Sequence, residues 1–198
     1  MAKKLIAAAL LALLPASAFA SPVVLTIGET PIVQQTDNSP CVIGNPSCNN
    51  PALFDYTLIP SNTESGSLDS PEYTVGQIRD IIGDLFVIGI DLQENDDDYG
   101  LDLFTLSIGG VVEFTFGPQV LSLQNHGNGY SDYALQGFDL SSFDANATAV
   151  FHLDFSDAQA AREQFFLAAG QGSTVPEPAT ASLLALGAAS VIRRRKKP

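Results

Sequence analysis

The chain has no tryptophan, one methionine, two histidines and two cysteines, and no lysine falls between residues 21 and 178. Each scarcity excludes a chemistry. Without lysine in the body, Schiff-base catalysis and lysine–asparagine isopeptide crosslinks lack their nucleophile. A structural zinc site needs four closely spaced ligands, which Cys41 and Cys48 alone do not supply. Positive charge is also scarce: nine basic residues face 22 acidic ones, a net charge of −13 over 198 residues. Seven of the nine (Lys3, Lys4, Arg193, Arg194, Arg195, Lys196, Lys197) stand at the two ends. Residues 21–178 keep Arg79, Arg162 and all 22 acids, so this body carries −20. Such a body repels phosphate backbones, which excludes a nucleic-acid partner and disfavours binding to an anionic lipid surface.

What is present begins with two terminal addresses. Residues 1–20 combine Lys3 and Lys4, an apolar run from Leu5 to Leu14, a break at Pro15 and the small-residue pattern Ala18-Phe19-Ala20. That order predicts a secretory signal peptide removed by signal peptidase, and no cysteine stands at the cleavage point to suggest a lipid anchor. At the other end, Val175-Pro176-Glu177-Pro178 precedes an uncharged stretch over 179–192 and then the basic cluster 193–197. As a helix that stretch reaches about 21 Å, against a hydrocarbon core of about 30 Å. It predicts a short, on its own marginal, transmembrane helix, with arginines snorkelling and the C-terminus on the cytoplasmic side.

Pro-Glu-Pro, an apolar helix of this length and a terminal arginine-rich cluster, behind a signal peptide, resemble the PEP-CTERM protein-sorting segment. The same segment is sometimes labelled an ice-binding-protein C-terminal motif, a label that says nothing of ice here. The resemblance covers 173–198 and implies processing by an exosortase, a membrane-embedded enzyme that removes the tail at or near Val175, Pro176, Glu177 and Pro178. It also implies a Gram-negative host that makes exopolysaccharide, in which the membrane that tethers the chain is the inner one.

Between Ser21 and Gly172 the apolar residues alternate in short runs broken by Gly, Pro, Asn and Asp, which predicts an all-β antiparallel sandwich of about eight to ten strands. Phe54, Tyr56 and Leu58 mark one inward face, and Phe151, Leu153 and Phe155 mark another. Leu85 to Leu92 is apolar on both faces and belongs in the centre of a sheet. Leu101 to Phe116 reads as a hairpin. A two-residue Gly109-Gly110 loop would set Leu106 against Glu113, whereas a three-residue loop starting at Ile108 pairs Leu106 with Val112 and Phe104 with Phe114, so the longer loop is expected. Further strands are expected at Val23–Ile27, Gln119–Leu123, Tyr133–Leu140 and Gln164–Ala168, with helix confined to Val75–Ile82 and a turn or two after Ser156 and Asp157. Residues 170–174 read as a linker.

Exported cysteines predict a Cys41–Cys48 disulfide, which tethers the irregular segment Gln34–Pro51 and stabilises by about 2.5 kcal/mol on the chain-entropy relation. The acidic run supplies Asp91, Glu94, Asp96, Asp97, Asp98 and Asp102 as candidate calcium ligands, because crowded loop oxygens suit that ion. The spacing fails the EF-hand template, and a solvated hairpin tip whose charges discourage edge pairing accounts for the same run. His152, Asp154 and Ser156 share one strand face, but alternation alone produces that row and no nucleophile elbow accompanies it. His126 reads as a turn residue in Asn125–Gly129. Tyr99, Tyr130 and Tyr133 sit in or near loops where they could stack on sugar rings, although the missing tryptophan argues against a carbohydrate module. The body is similar to uncharacterised exported β-domains of PEP-CTERM proteins at Val75–Ile78, Ser107–Gly110 and Arg162–Leu167, and no catalytic residue comes with that likeness. The expectation is a non-catalytic surface or extracellular-matrix protein associated with exopolysaccharide. A calcium-dependent glycan-binding or adhesion module is the alternative, and a secreted hydrolase with a carboxylate pair is the second.

Overall fold

Alternation sets the layers. Along Thr148–Ser156, Ala149, Phe151, Leu153 and Phe155 are buried while the residues between them stay partly exposed, so this strand has one face toward a core. The computed structural model describes residues 21–28, 34–61, 63–92, 98–122, 124, 126–127, 129–158 and 163–170. In chain order the elements are β1 (Val23–Val24), β2 (Thr26–Gly28), β3 (Cys41–Gly44), β4 (Thr57–Leu58), β5 (Gly66–Asp69), β6 (Tyr73–Thr74), α1 (Val75–Ile82), β7 (Leu85–Asp91), β8 (Tyr99–Ile108), β9 (Val111–Phe116), β10 (Gln119–Leu121), β11 (Tyr133–Asp139), β12 (Thr148–Ser156) and β13 (Gln164–Ala169).

One sheet runs β1-β9-β8-β12-β5, with β10 added on β8 and β6 on β12; the other runs β2-β11-β7-β13-β3-β4. Aromatic rings lock their facing sides together. Phe104 of the first sheet meets Phe138 and Phe165 of the second at centroid distances of 6.4 and 6.0 Å, and Phe151 meets Phe86 at 6.4 Å. Offset and edge-on pairs of this kind add about 0.5–1.5 kcal/mol each beyond area burial. One continuous apolar cluster joins both inner faces.

The all-β expectation holds, with several corrections. Thirteen strands occur among the described residues, more than eight to ten, because several have only two or three residues. The sheets are mixed: β1 runs parallel to β9 and β3 parallel to β4, and the remaining pairings are antiparallel. The expected strand Val23–Ile27 is two strands that belong to different sheets, with buried Leu25 at the crossing and its amide donating to Thr115 O at 2.8 Å. Of Phe54, Tyr56 and Leu58 only Leu58 lies in a strand, and it is exposed. The segment Gln34–Pro51 is not irregular throughout, since it contains β3, whose four residues are all buried.

The hairpin resolves its parity in a way neither simple loop allows. Ile108 pairs with Val111 around a two-residue turn in which Gly109 and Gly110 both adopt positive φ, 59° and 82°. That is the left-handed pair such a tight turn requires. A register shift then skips Glu113, so Leu106 pairs with Phe114 and Phe104 with Phe116. The expected three-residue loop is therefore not formed; the bulge instead gives Leu106 and Phe104 apolar partners other than the Val112 and Phe114 that loop would have supplied.

Other expectations agree closely. Strand β7 is flanked by β11 and β13 inside its sheet. Helix α1 covers Val75–Ile82 and starts with a capping box: the Gln77 amide donates to Thr74 Oγ1 at 3.1 Å and the Thr74 amide donates to Gln77 Oε1 at 2.7 Å. Val75, Ile78 and Ile82 bury one face. The expected signal segment 1–20, the sorting segment 173–198 with the helix expected over 179–192, and residues 159–162 of the turn expected after Ser156 lie outside the described residues. No helix of the described residues is long and apolar enough to cross a membrane.

Candidate functional site

Six of the eight buried polar residues described gather at one end of the second sheet. Asp91 closes β7 and Asp132 immediately precedes β11, the neighbouring strand; both are 2% exposed. Asp91 Oδ2 accepts the Gly129 amide at 2.8 Å. Asp132 Oδ2 accepts the Leu92 amide at 2.8 Å, while the Asp132 amide donates to Ile90 O at 2.7 Å. The other Asp132 oxygen stands 3.7 Å from His126 Nδ1, which also lies 3.2 Å from Ser131 O. His126 therefore braces the turn in which the sequence placed it. On the opposite side of Asp91, its register partner Gln164 directs Nε2 toward Asn45 Oδ1 at 3.5 Å, and Asn45 leads to the disulfide loop.

These carboxylates hold backbone: each accepts an amide from a loop that would otherwise leave a donor unsatisfied. Of the other candidate calcium ligands, the described residues Asp98 and Asp102 bond to neighbouring hydroxyls: Asp98 Oδ1 accepts the Ser122 hydroxyl at 2.6 Å, and Asp102 Oδ1 accepts the Ser156 hydroxyl at 3.1 Å, both near the surface. Glu94, Asp96 and Asp97 lie outside the described residues. Among the described residues no group of three or more His, Cys, Asp or Glu side chains is placed to hold a metal ion. Asp132 was missed by sequence reasoning; its only sequence signal is a carboxylate directly before an apolar strand.

The row His152, Asp154 and Ser156 takes another form. His152 Nε2 lies 3.1 Å from Asp154 Oδ1, while Nδ1 lies 2.7 Å from Oδ1 of Asp69 on β5. Burial disfavours the charged imidazole, but hydrogen bonds to Asp69 and Asp154 outweigh it and raise the His152 pKa above the ordinary histidine value. Ser156 turns its hydroxyl to Asp102, so the row makes no nucleophile–base pair.

Cys41 and Cys48 form the expected disulfide, with Cα atoms 5.9 Å apart. Gly44 makes room for it, since a Cβ there would stand 2.5 Å from Cys48 Sγ. The bridge folds the chain after β3 back onto that strand. Asn50 completes the fastening: its Oδ1 accepts the Cys41 amide at 2.8 Å and its Nδ2 donates to Cys41 O at 2.8 Å.

Beyond Gly170 the chain continues toward Val175, Pro176, Glu177 and Pro178, which lie outside the described residues. Residues 174–196 match the family model of the PEP-CTERM protein-sorting motif. The PEP-CTERM match agrees with the resemblance read from the sequence and implies exosortase processing, export and sorting to the cell surface. It covers the sorting segment alone. Comparisons with curated proteins and with solved structures found no match for this chain.

Proposed function

We propose that the protein is a non-catalytic component of the cell surface or extracellular matrix, delivered through exosortase processing and associated with exopolysaccharide. The PEP-CTERM segment at 174–196 carries this reading, because it directs whatever precedes it to the surface. The β-domain supports the non-catalytic part. Its buried carboxylates Asp91 and Asp132 accept backbone amides, and Ser156 bonds Asp102 instead of His152. In this reading the 179–192 helix holds the precursor in the inner membrane until the tail is removed. The test compares localisation and mass of the protein in cells with and without the exosortase, joined to a pull-down with the host's own polysaccharide. Loss of the tail only when the exosortase is present, with retention on the polysaccharide, is expected. A mature mass independent of the exosortase, or a domain that passes unretained, overturns the corresponding half. Replacing Pro176 and Pro178 with Ala leaves an unprocessed form in the membrane.

A calcium-dependent glycan-binding or adhesion role is the second reading. It is favoured by one observation: the buried carboxylate of Asp91 stands at the foot of the acidic run. On this reading millimolar calcium raises the melting temperature and a chelator reverses the rise, whereas Asp91→Asn abolishes the shift. No calcium-dependent shift in the unaltered protein dismisses it.

A further inference from the structure

His152 holds both ring nitrogens against carboxylates on two different strands. Nδ1 is 2.7 Å from Asp69 Oδ1, its direct register partner on β5, and Nε2 is 3.1 Å from Asp154 Oδ1 on its own strand. A neutral imidazole has one N–H and one lone pair, so it donates to one carboxylate and turns a lone pair toward the other. Only imidazolium, with two N–H groups, satisfies both. Carboxylates at both nitrogens therefore select the protonated ring.

Among the described residues the surroundings supply no competing cation. The ionisable groups in contact with the ring are Asp69 from β5 and Asp154 from β12. From β8, uncharged Thr105 stands opposite His152, with Leu103 opposite Asp154 and Ser107 opposite Val150. Further along β8, Asp102 is engaged by Ser156. From β6, Tyr73 and Thr74 pair with Ala149 and Thr148, and Tyr73 is buried in the core. Arg79, the one arginine among the described residues, is held elsewhere by Asp84 at 2.7 Å and by the carbonyls of Leu140 and Phe143. Without its proton, His152 would leave Asp69 and Asp154 facing one another across a ring that can serve only one of them.

We infer that His152 is a proton-operated clip that fastens edge strand β5 to β12 when protonated and slackens when it loses its proton. Strand β5 is four residues long, ends its sheet and has β12 as its strand partner, so the cross-strand His152–Asp69 contact adds a side-chain fastening to a short backbone ladder. Opening β5 bares the hydrogen-bonding edge of β12, the kind of edge that recruits a further strand. The sign follows from linkage. A histidine whose pKa is raised in the folded state contributes stability fully present below its unfolded value, near about 6.5, and lost as pH rises through the folded value. The clip is thus tight in mild acid and loose in mild base.

The test is nitrogen-detected NMR titration of the imidazole, together with amide exchange in β5 expressed as protection relative to β9. The His152 inflection is expected above the ordinary histidine range and lower in Asp69→Asn and in Asp154→Asn. Protection of Leu68 and Ser70, the positions whose amides face β12, is expected to fall several-fold between about pH 5.5 and about pH 8.5, on either side of the ordinary histidine value. In His152→Gln that fall disappears. An inflection at or below the ordinary value, or the same loss of protection in the unaltered protein and in His152→Gln, overturns the inference. Should His152→Gln fail to fold, Asp69→Asn gives the same comparison, because Asp69 is largely exposed and its amide analogue keeps the strand intact.

Discussion

Phe166 lays its ring across Gly89 on the neighbouring strand, its register partner, so closely that a Cβ on Gly89 would stand 2.5 Å from ring carbons Cε2 and Cζ. The glycine is required by that approach. Gly89→Ala therefore forces a fully buried ring to move and should destabilise the domain by about 1–3 kcal/mol, the usual cost of overpacking. Urea unfolding measures it. Combining Gly89→Ala with Phe166→Leu should recover part of the loss, and strict additivity of the two changes would show that the ring is not the obstacle.

The disulfide contributes through the unfolded chain. Closing the loop from Cys41 to Cys48 removes about 2.5 kcal/mol of conformational freedom from the denatured state. Cys41→Ser with Cys48→Ser should lower the urea midpoint accordingly, and reduction of the unaltered protein should add the mass of two protons. An unchanged midpoint would show that Asn50, which bonds both the amide and the carbonyl of Cys41, already holds this segment.

Thr74 caps the only helix among the described residues, and its hydroxyl accepts the Gln77 amide. Thr74→Ala should cost about 1 kcal/mol, while Thr74→Ser keeps the acceptor and most of the stability. Equal losses in both variants, read by thermal melting, would place the effect in packing and not in the cap.

Two tyrosines make the domain sensitive to alkali. Burial, above all, pushes the Tyr99 hydroxyl well above its ordinary pKa, with Glu163 and then Asp102 adding to the shift. Burial likewise raises Tyr73, against the opposing hydrogen bond from Ser70. Both ionise more readily unfolded, so stability falls as pH climbs above about 10, by up to about 1.4 kcal/mol per pH unit for each. The Tyr99 hydroxyl is buried with no hydrogen-bond partner among the described residues. Tyr99→Phe should then raise stability by about 1 kcal/mol at neutral pH and flatten the alkaline slope. A destabilised Tyr99→Phe would reveal a partner for that hydroxyl.

Local pattern carried much of this fold. Helix α1 has the expected bounds, with Val75, Ile78 and Ile82 on its buried face, and the doubly apolar run at Leu85 gave the central strand. Strand β3 escaped because it is short, flanked by prolines and buried on both faces, so it shows no alternation. Strand β5 escaped because Ser67 and Asp69 face outward and Gly66 starts it, leaving Leu68 as its single apolar residue. The bulge at Glu113 depends on which partners the core accepts, a tertiary fact that turn chemistry alone does not contain. The same holds for the polar sites. Asp154 two residues from His152 was visible along one strand, but Asp69, 83 residues away, becomes its partner only when β5 docks. The sorting segment was legible in full because its order of Pro-Glu-Pro, apolar stretch and basic cluster is read along the chain.

The last described strand to be synthesised, β13, sits between β7 and β3. Until residues 164–169 exist, the second sheet is two fragments, β2-β11-β7 and β3-β4, and Phe165 and Leu167 are missing from the shared core. A chain with its keystone at the end resists early closure. Completion of that sheet waits on residues 164–169, which suits a polypeptide exported before it folds.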